Sequence, residues 1–279
     1  MMNVRKPAVA GTFYASTRDG VVGQIEWSYR HKIGPGDVPE LNESGPREIV
    51  ALVAPHAGYM ASGPVAAHAY SALARDGRVD TAVIVGPNHT GYGTAVSVWS
   101  SGAWSTPLGN AQVNQDIAKS LLGGIVRADE SAHIYEHSIE LQLPWLQHLY
   151  GDAVQIVPVA MLAQDADTAS EVGEALSKVT GNVVLIASTD LTHYEPPEAA
   201  ARKDADVIAT MVSLDVDEMY RRLRAESCTM CGYGPVAAVM HAALKLGATR
   251  AELLRYATSG DTTGDYSRVV GYASVVFRR

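Results

Sequence analysis

Residues 182–194 read NVVLIASTDLTHY. Residues 183–187 form an apolar run rich in β-branched side chains, the pattern of a strand covered on both faces. The chain then turns polar at once, through Ser188, Thr189, Asp190, Thr192 and His193. Parallel strands of open α/β sheets bind ligands beyond their carboxyl ends, so a site is expected here. Two other stretches repeat the grammar. Residues 49–54 lead into Pro55-His56-Ala57-Gly58-Tyr59, and residues 81–85 lead into Gly86-Pro87-Asn88-His89. Three strands thus each deliver a histidine just past the carboxyl end. As parallel neighbours they would bring three imidazoles to one edge of one sheet.

The rest of the chain alternates in the same way. Helical patterns are expected at residues 21–30, 63–75, 139–150, 168–179, 197–211, 217–225 and 235–246. Pro64 lies near the start of the second, and Pro144 in the first turn of the third or at a kink. Asn110 is expected to cap a helix running to residue 122, after a turn at 104–109. Strands are expected at 94–99, 154–160, 253–258 and 268–277, while 32–47, rich in Gly and Pro, reads as a surface loop. Strands alternating with helices argue an α/β fold with a mostly parallel, helix-flanked sheet. The closely spaced final pair adds an antiparallel component, and residues 1–279 are taken as one domain.

Composition narrows the function. The chain has 279 residues, 47% of them apolar and 19% charged, with a net charge of −8. No polybasic block is present, which argues against nucleic acid or an anionic membrane surface as partner. No apolar run approaches the length of a membrane span, and residues 1–14 lack the apolar core of a signal peptide. Two cysteines make no disulfide framework, and a cytoplasmic location is expected.

His56, His89 and His193 are the first candidates for chemistry, because imidazole is a common ligand of Zn, Cu, Fe and Ni. Singly, each could be an ordinary loop residue bonded to backbone. Asp190, three residues before His193, could ligate a metal, orient the imidazole as a base, or close an Asx turn. Cys228-Thr-Met-Cys231 precedes a helix and carries three readings. It could be half a zinc site, though no second such pair exists. It could be a redox pair, or Cys231 alone could complete a two-histidine site. Glu136-His137-Ser138-Ile139-Glu140 opens a helical pattern that would set His137 and Glu140 on one face, toward a pocket. Tyr59 and Tyr233 sit in the candidate loops as phenol donors or walls. His31, His68, His133, His148 and His241 read as structural or surface residues.

APHAGYMASGPVAAHAY, GPNHTGYG, EHSIELQLPWL, STDLTHY, CTMCGYGP and TSGDTTGDYSRVVGYA, with the opening RKPAVAGTFY, together resemble the Memo family in its bacterial and archaeal branch. The resemblance spans nearly the whole chain. It implies a three-layer α/β/α fold with a mixed, mostly parallel central sheet, similar to class III extradiol (LigB-like) dioxygenases. It also implies a metal site on His56, His89 and Cys231, with Asp190 and His193 beside it as catalytic groups. Iron(II) or copper would be the metal, with zinc as the further option. In those dioxygenases the third ligand is a carboxylate, so Cys231 marks a departure that bears on ring-opening activity. A small-molecule substrate, aromatic ones included, and O2 are the implied reactants. Tyr59, His137, Glu140 and Tyr233 would line the substrate pocket. Prokaryotic members resemble one component of a set that includes a radical-SAM protein, which suggests a protein partner from that set. The motility signalling and phosphopeptide binding linked to eukaryotic members are not carried over.

Overall fold

The computed structural model describes residues 3–279. The chain runs β1 (Val4–Arg5), α1 (Arg18–Arg30), β2 (Ile49–Ala54), α2 (Tyr59–Asp76), β3 (Thr81–Pro87), β4 (Val96–Val98), β5 (Ala103–Thr106), β6 (Gly109–Val113), α3 (Gln115–Ser120) and β7 (Val126–Ala128). It continues through α4 (Leu143–Tyr150), β8 (Gln155–Met161), α5 (Ala166–Leu176), β9 (Val183–Ser188), β10 (His193–Glu195), α6 (Pro197–Val212), α7 (Val216–Ala225) and α8 (Tyr233–Lys245). It closes with β11 (Arg250–Thr258), α9 (Ser259–Thr263) and β12 (Val269–Arg278).

All strands join one mixed sheet, whose main path runs β1-β5-β6-β8-β3-β9-β2-β12-β10. From β6 to β2 every neighbouring pair is parallel. β12 lies antiparallel to β2, β10 and β11. The apolar run of the opening stretch is β9, and it lies between β3 and β2, all three parallel. Every residue of β2 and β3 is buried, because helices cover both faces. α2 packs on β2 and β12 and is itself covered by α1 and α4, and α5 packs on α8, which lies over β3 and β9. Burial on both faces is why these strands read as continuous apolar runs rather than alternating ones. Among the described residues no helix is long and apolar enough to cross a membrane.

Three local expectations are corrected. Residues 103–113 form an antiparallel hairpin, β5 with β6, and Asn110 pairs with Ser105 inside it. The alternation of buried Ala111 and Val113 with exposed Asn110 outweighs the capping signal. The cap belongs instead to Asn114, whose side chain accepts from Ile117 N. Second, α2 begins at Tyr59, four residues earlier than expected, so Pro64 lies inside the helix. The early start is fixed by Tyr59 N donating to Phe13 O at 2.8 Å and by the burial of the Tyr59 ring. Third, Glu136 to Ile139 is not part of a helix. A short 3-10 turn covers Glu140–Gln142, and α4 follows with Pro144 in its first turn.

Candidate functional site

The loops after β2, β3 and β9 meet the residue preceding α8 at the carboxyl edge of the sheet. His56 follows β2 directly. Its backbone N donates to Asp190 Oδ1 at 2.8 Å, and its Nδ1 lies 2.9 Å from Ser188 Oγ. Its Nε2 is 3.3 Å from Cys231 Sγ. His89 follows β3, and its Nδ1 lies 3.0 Å from Glu136 Oε1. Cys231 lies just ahead of α8, before its N-cap Gly232. Asp190 N donates to its Sγ at 3.3 Å, and Cys231 N donates to Asp190 O at 3.3 Å. Gly232 permits this approach, since a Cβ there would lie 2.6 Å from Ser188 O. One ligand atom each from His56, His89 and Cys231 falls within 4.8 Å of the others. Both rings are fastened through Nδ1, which leaves Nε2 as the free donor on each.

The local fields follow from this geometry. Burial, then the charges of His137 and His89, hold His56 well below the ordinary histidine range, so it is a neutral donor. Burial alone would lower His89, but the Glu136 hydrogen bond and charge outweigh it and raise its affinity for a proton. Burial likewise opposes ionisation of Glu136, yet the His89 bond and the charges of His89 and His137 bring it down to about 2. Burial, then the charge of Asp190, pushes the Cys231 thiol up. A thiol so placed stays protonated unless a cation stands beside it. Burial raises Asp190 to about 6, against the backbone bonds it accepts from His56 and Ala57.

A cleft of about 580 Å³ opens over this edge, walled by Phe13, Tyr194 and Tyr272 as well as the imidazoles. His193 and His137 both face it. The expected pairing of Asp190 with His193 is not what holds that ring. Asp190 Oδ1 takes the backbone of His56 and Ala57, while His193 Nδ1 lies 3.0 Å from Thr229 O and His193 N donates to Thr229 Oγ1. Asp190 shapes the loop and the thiol pocket; Thr229 sets the imidazole. Three expected pocket residues lie elsewhere. Tyr59 is buried with its hydroxyl donating to Leu141 O. Glu140 is wholly buried and bonds Arg5, Ala8, Val9 and Tyr14. Tyr233 packs edge-on against Tyr220, away from the cleft lining.

Two residues at the site carry no sequence signal strong enough to find them. Glu136 reads as ordinary first-turn acid, yet it accepts from His89 N, His89 Nδ1, His137 N and Ser138 N. Ser188 ends β9 and ties His56 to the 136–142 segment by donating to Ser138 O and accepting from Gln142 Nε2. Cys228 stands apart from the donor group, with its Sγ 3.3 Å from Thr192 Oγ1. A second grouping, His89, Glu136 and His137, is already satisfied internally. Glu136 Oε1 lies on the His89 Nδ1 hydrogen bond and takes two backbone N–H groups as well, so it fastens the rings.

The sequence profile of Memo-like protein matches residues 5–276. A MEMO1 family protein of Methanopyrus kandleri is 50% identical over 281 residues, covering 99% of this chain and 99% of its own. A MEMO1 family protein of Methanothermobacter thermautotrophicus is 47% identical over 276 residues, covering 97% of this chain and 99% of its own. Among solved structures, an uncharacterized protein from Escherichia coli K12 shares the fold with a TM-score of 0.50 at 17% identity. That match covers 82% of this chain and 99% of that one.

Proposed function

The chain belongs to the Memo-like protein family, and we propose that it is a non-haem, metal-dependent oxidoreductase of dioxygenase-like design. The observation that carries this reading is the convergence of His56, His89 and Cys231 ligand atoms within 4.8 Å at the floor of an open cleft. The donor set fits a transition metal. It offers two imidazole nitrogens with their second nitrogens already bonded, plus one thiol whose ionisation a cation would favour. Imidazole and thiolate suit copper and iron, with zinc as the redox-silent choice. A bound iron or copper ion would supply the one-electron and O2 chemistry that no side chain here provides. Replacing a carboxylate ligand by a thiolate makes the centre more electron-rich, which separates it from the ring-opening enzymes it resembles.

The protein's own residues then have distinct tasks. Ser188 and Glu136 fix the two ligand rings. His193, fastened through Nδ1 to the Thr229 carbonyl, keeps Nε2 toward the cleft and holds or moves a proton there. The Asp190 carboxylate aligns the His56–Ala57 backbone, and its backbone N–H donates to the Cys231 sulfur. Phe13 and Tyr272 form apolar walls suited to a small, flat organic substrate, with O2 as the second reactant. Metal analysis of protein purified without oxygen tests the reading. Near-stoichiometric iron or copper that disappears in His56→Ala and Cys231→Ala is expected, with Cys228→Ser close to wild type. Equal metal content in all of them overturns it.

A second reading has its own observation. Tyr92 and Tyr135, in loops, and Tyr194, in β10, are 59%, 69% and 67% exposed around the same edge, and exposed aromatics suit protein recognition. In that reading the cleft serves a non-catalytic binding protein, with a partner such as a member of the radical-SAM-associated set. Partner binding that survives His89→Ala, together with no metal-dependent O2 uptake, would favour it.

A further inference from the structure

Cys228 is the half of the Cys228-Thr-Met-Cys231 pair that the donor group leaves out, and its thiol has partners of its own. Residues 228–230 lie in no helix or strand, and they leave α7 through Ser227, which holds a left-handed φ of 51°. Thr229 nevertheless grips His193 twice. Its Oγ1 accepts from His193 N at 2.7 Å, and its carbonyl oxygen lies 3.0 Å from His193 Nδ1. A carbonyl can only accept, so the neutral His193 ring carries its proton on Nδ1 and leaves Nε2 bare. What holds this irregular segment in place is the residue before Thr229. Cys228 Sγ lies 3.3 Å from Thr192 Oγ1 and 3.9 Å from Asp204 Oδ1. Thr192 is wholly buried, and among the described residues its hydroxyl has no other partner. Burial holds the Cys228 thiol above its ordinary range, so it stays protonated and can donate to the carboxylate. Asp204, from α6, is wholly buried as well. Its Oδ1 also accepts from Thr192 N at 2.9 Å, and its Oδ2 accepts from Tyr256 Oη at 2.8 Å. Burial raises the Asp204 carboxyl, and the bonds from Thr192 and Tyr256 oppose that rise. Gly271 makes the room, since a Cβ there would overlap Asp204 Oδ2. One carboxylate oxygen thus ties the residue before His193 to the residue before Thr229.

We propose that Asp204 and Cys228 are positioning residues, which together fix Thr229 against His193 and so set which nitrogen of that ring is free at the cleft. The two cysteines of the pair then have separate tasks. Cys231 belongs to the donor group, and Cys228 clamps the segment that orients a histidine. The functional weight of this clamp rests on the reading of His193 as the group that holds or moves a proton. The position of the proton on the ring does not, because protein groups alone place it.

The test reads the proton itself. In the full chain carrying isotope-labelled histidine, proton–nitrogen correlation NMR separates the Nδ1–H from the Nε2–H form of each neutral imidazole, and His193→Gln identifies the signals of His193. Wild type is expected in the Nδ1–H form. Cys228→Val keeps the bulk and loses the hydrogen bonds. It should lower the ratio of Nδ1–H to Nε2–H by about fivefold, the worth of one neutral hydrogen bond. Asp204→Asn should move the ratio the same way, because an amide brings donors to a place where the carboxylate receives Thr192 N, Tyr256 Oη and the Cys228 thiol. Cys228→Ser, whose hydroxyl can both donate and accept, should restore most of the ratio. Tyr256→Phe removes a donor from the other carboxylate oxygen and should leave the ratio as in wild type even where it costs stability. His68, whose Nε2 lies 2.8 Å from Ile33 O, should show Nε2–H throughout and reports an intact fold. A wild-type His193 in the Nε2–H form overturns the inference. So does an unchanged ratio in Cys228→Val or in Asp204→Asn, a serine variant as disturbed as the valine one, or a shift in Tyr256→Phe as large as theirs. Should wild type and every variant lack metal while the ratios move as expected, the oxidoreductase reading falls and this one stands.

Discussion

Glu136 and Glu140 are four residues apart in one segment, both wholly buried, and they do opposite things. Glu140 closes a knot. It takes Arg5 Nη1 at 2.5 Å, Ala8 N at 2.7 Å, Val9 N at 3.2 Å and Tyr14 Oη at 2.7 Å. Arg5 is spent as well, donating to the carbonyls of His133 and Glu136 and lying 4.1 Å over the Trp104 ring. The Glu140 carboxylate has no acceptor position left over. Glu136 is equally saturated, but its partners are imidazoles, and each imidazole has a second nitrogen. The lesson is that burial and charge do not by themselves mark a functional carboxylate. What its partners still have to offer decides.

Four perturbations would break or sharpen the contrast. The largest effect is expected at the closed knot. Arg5→Ala leaves a buried carboxylate without its ion, which costs about 3–5 kcal/mol. Denaturant unfolding should read that loss, while metal bound per folded chain stays as in wild type. A fall in metal affinity as large as the fall in stability would erase the distinction between the two clusters.

Next comes Asp190, whose carboxyl is raised from 3.8 to about 6. A group with a raised folded-state value binds its proton more tightly in the folded chain. Its contribution is therefore full below pH 4 and is lost as the pH rises through about 6. The whole shift corresponds to on the order of 3 kcal/mol. Asp190→Asn should remove that slope and raise stability at neutral pH, as expected where a site holds an uncomfortable charge. An unchanged stability–pH profile between pH 4 and 6 would refute the assignment.

Glu136→Gln should lower metal affinity about 10–100-fold, the usual cost of removing the carboxylate behind a ligating histidine. Competition with a chromophoric chelator measures it. Unaltered affinity would mean that His89 needs no support. Smallest is Ser188→Ala, which deletes one hydroxyl between His56 and Ser138. A loss of about 1 kcal/mol in stability is expected, with metal affinity moving only a few-fold. A larger metal defect than that of Glu136→Gln would reverse the ranking of the two supports.

Much of the fold was legible in the chain because buried parallel strands write themselves as apolar runs. β2, β3, β8 and β9 stand where the sequence places them, and the three histidines follow their strands as read. The hairpin at 103–113 was missed because a capping asparagine and an alternating strand look alike over three residues. His56, His89 and Cys231 do converge, as the resemblance implied. Tyr59 and Tyr233 do not reach the cleft, because position in sequence says nothing of which way a ring turns, and Glu140 does not because residues 136–139 form no helix to set it beside His137. The Asp190–His193 pairing failed for a like reason. Spacing of three residues suits a helix, and this stretch is a loop leading into β10, where Thr229 from a distant turn takes the imidazole.

The sequence alone determined the periodicities, hence the α/β class, and the placement of a histidine beyond each of three buried strands. Those follow from local rules, a two-residue or near-four-residue repeat and a polar break, that need no neighbour. Only the tertiary structure decided that β9 lies between β3 and β2, that Gly232 lets Cys231 settle against the end of β9, and that Glu136 rather than Glu140 stands behind the rings. Each of these is a contact between segments far apart in the chain. Such contacts are selected by packing and by the need to satisfy every buried polar group at once, and no single stretch of sequence contains both partners.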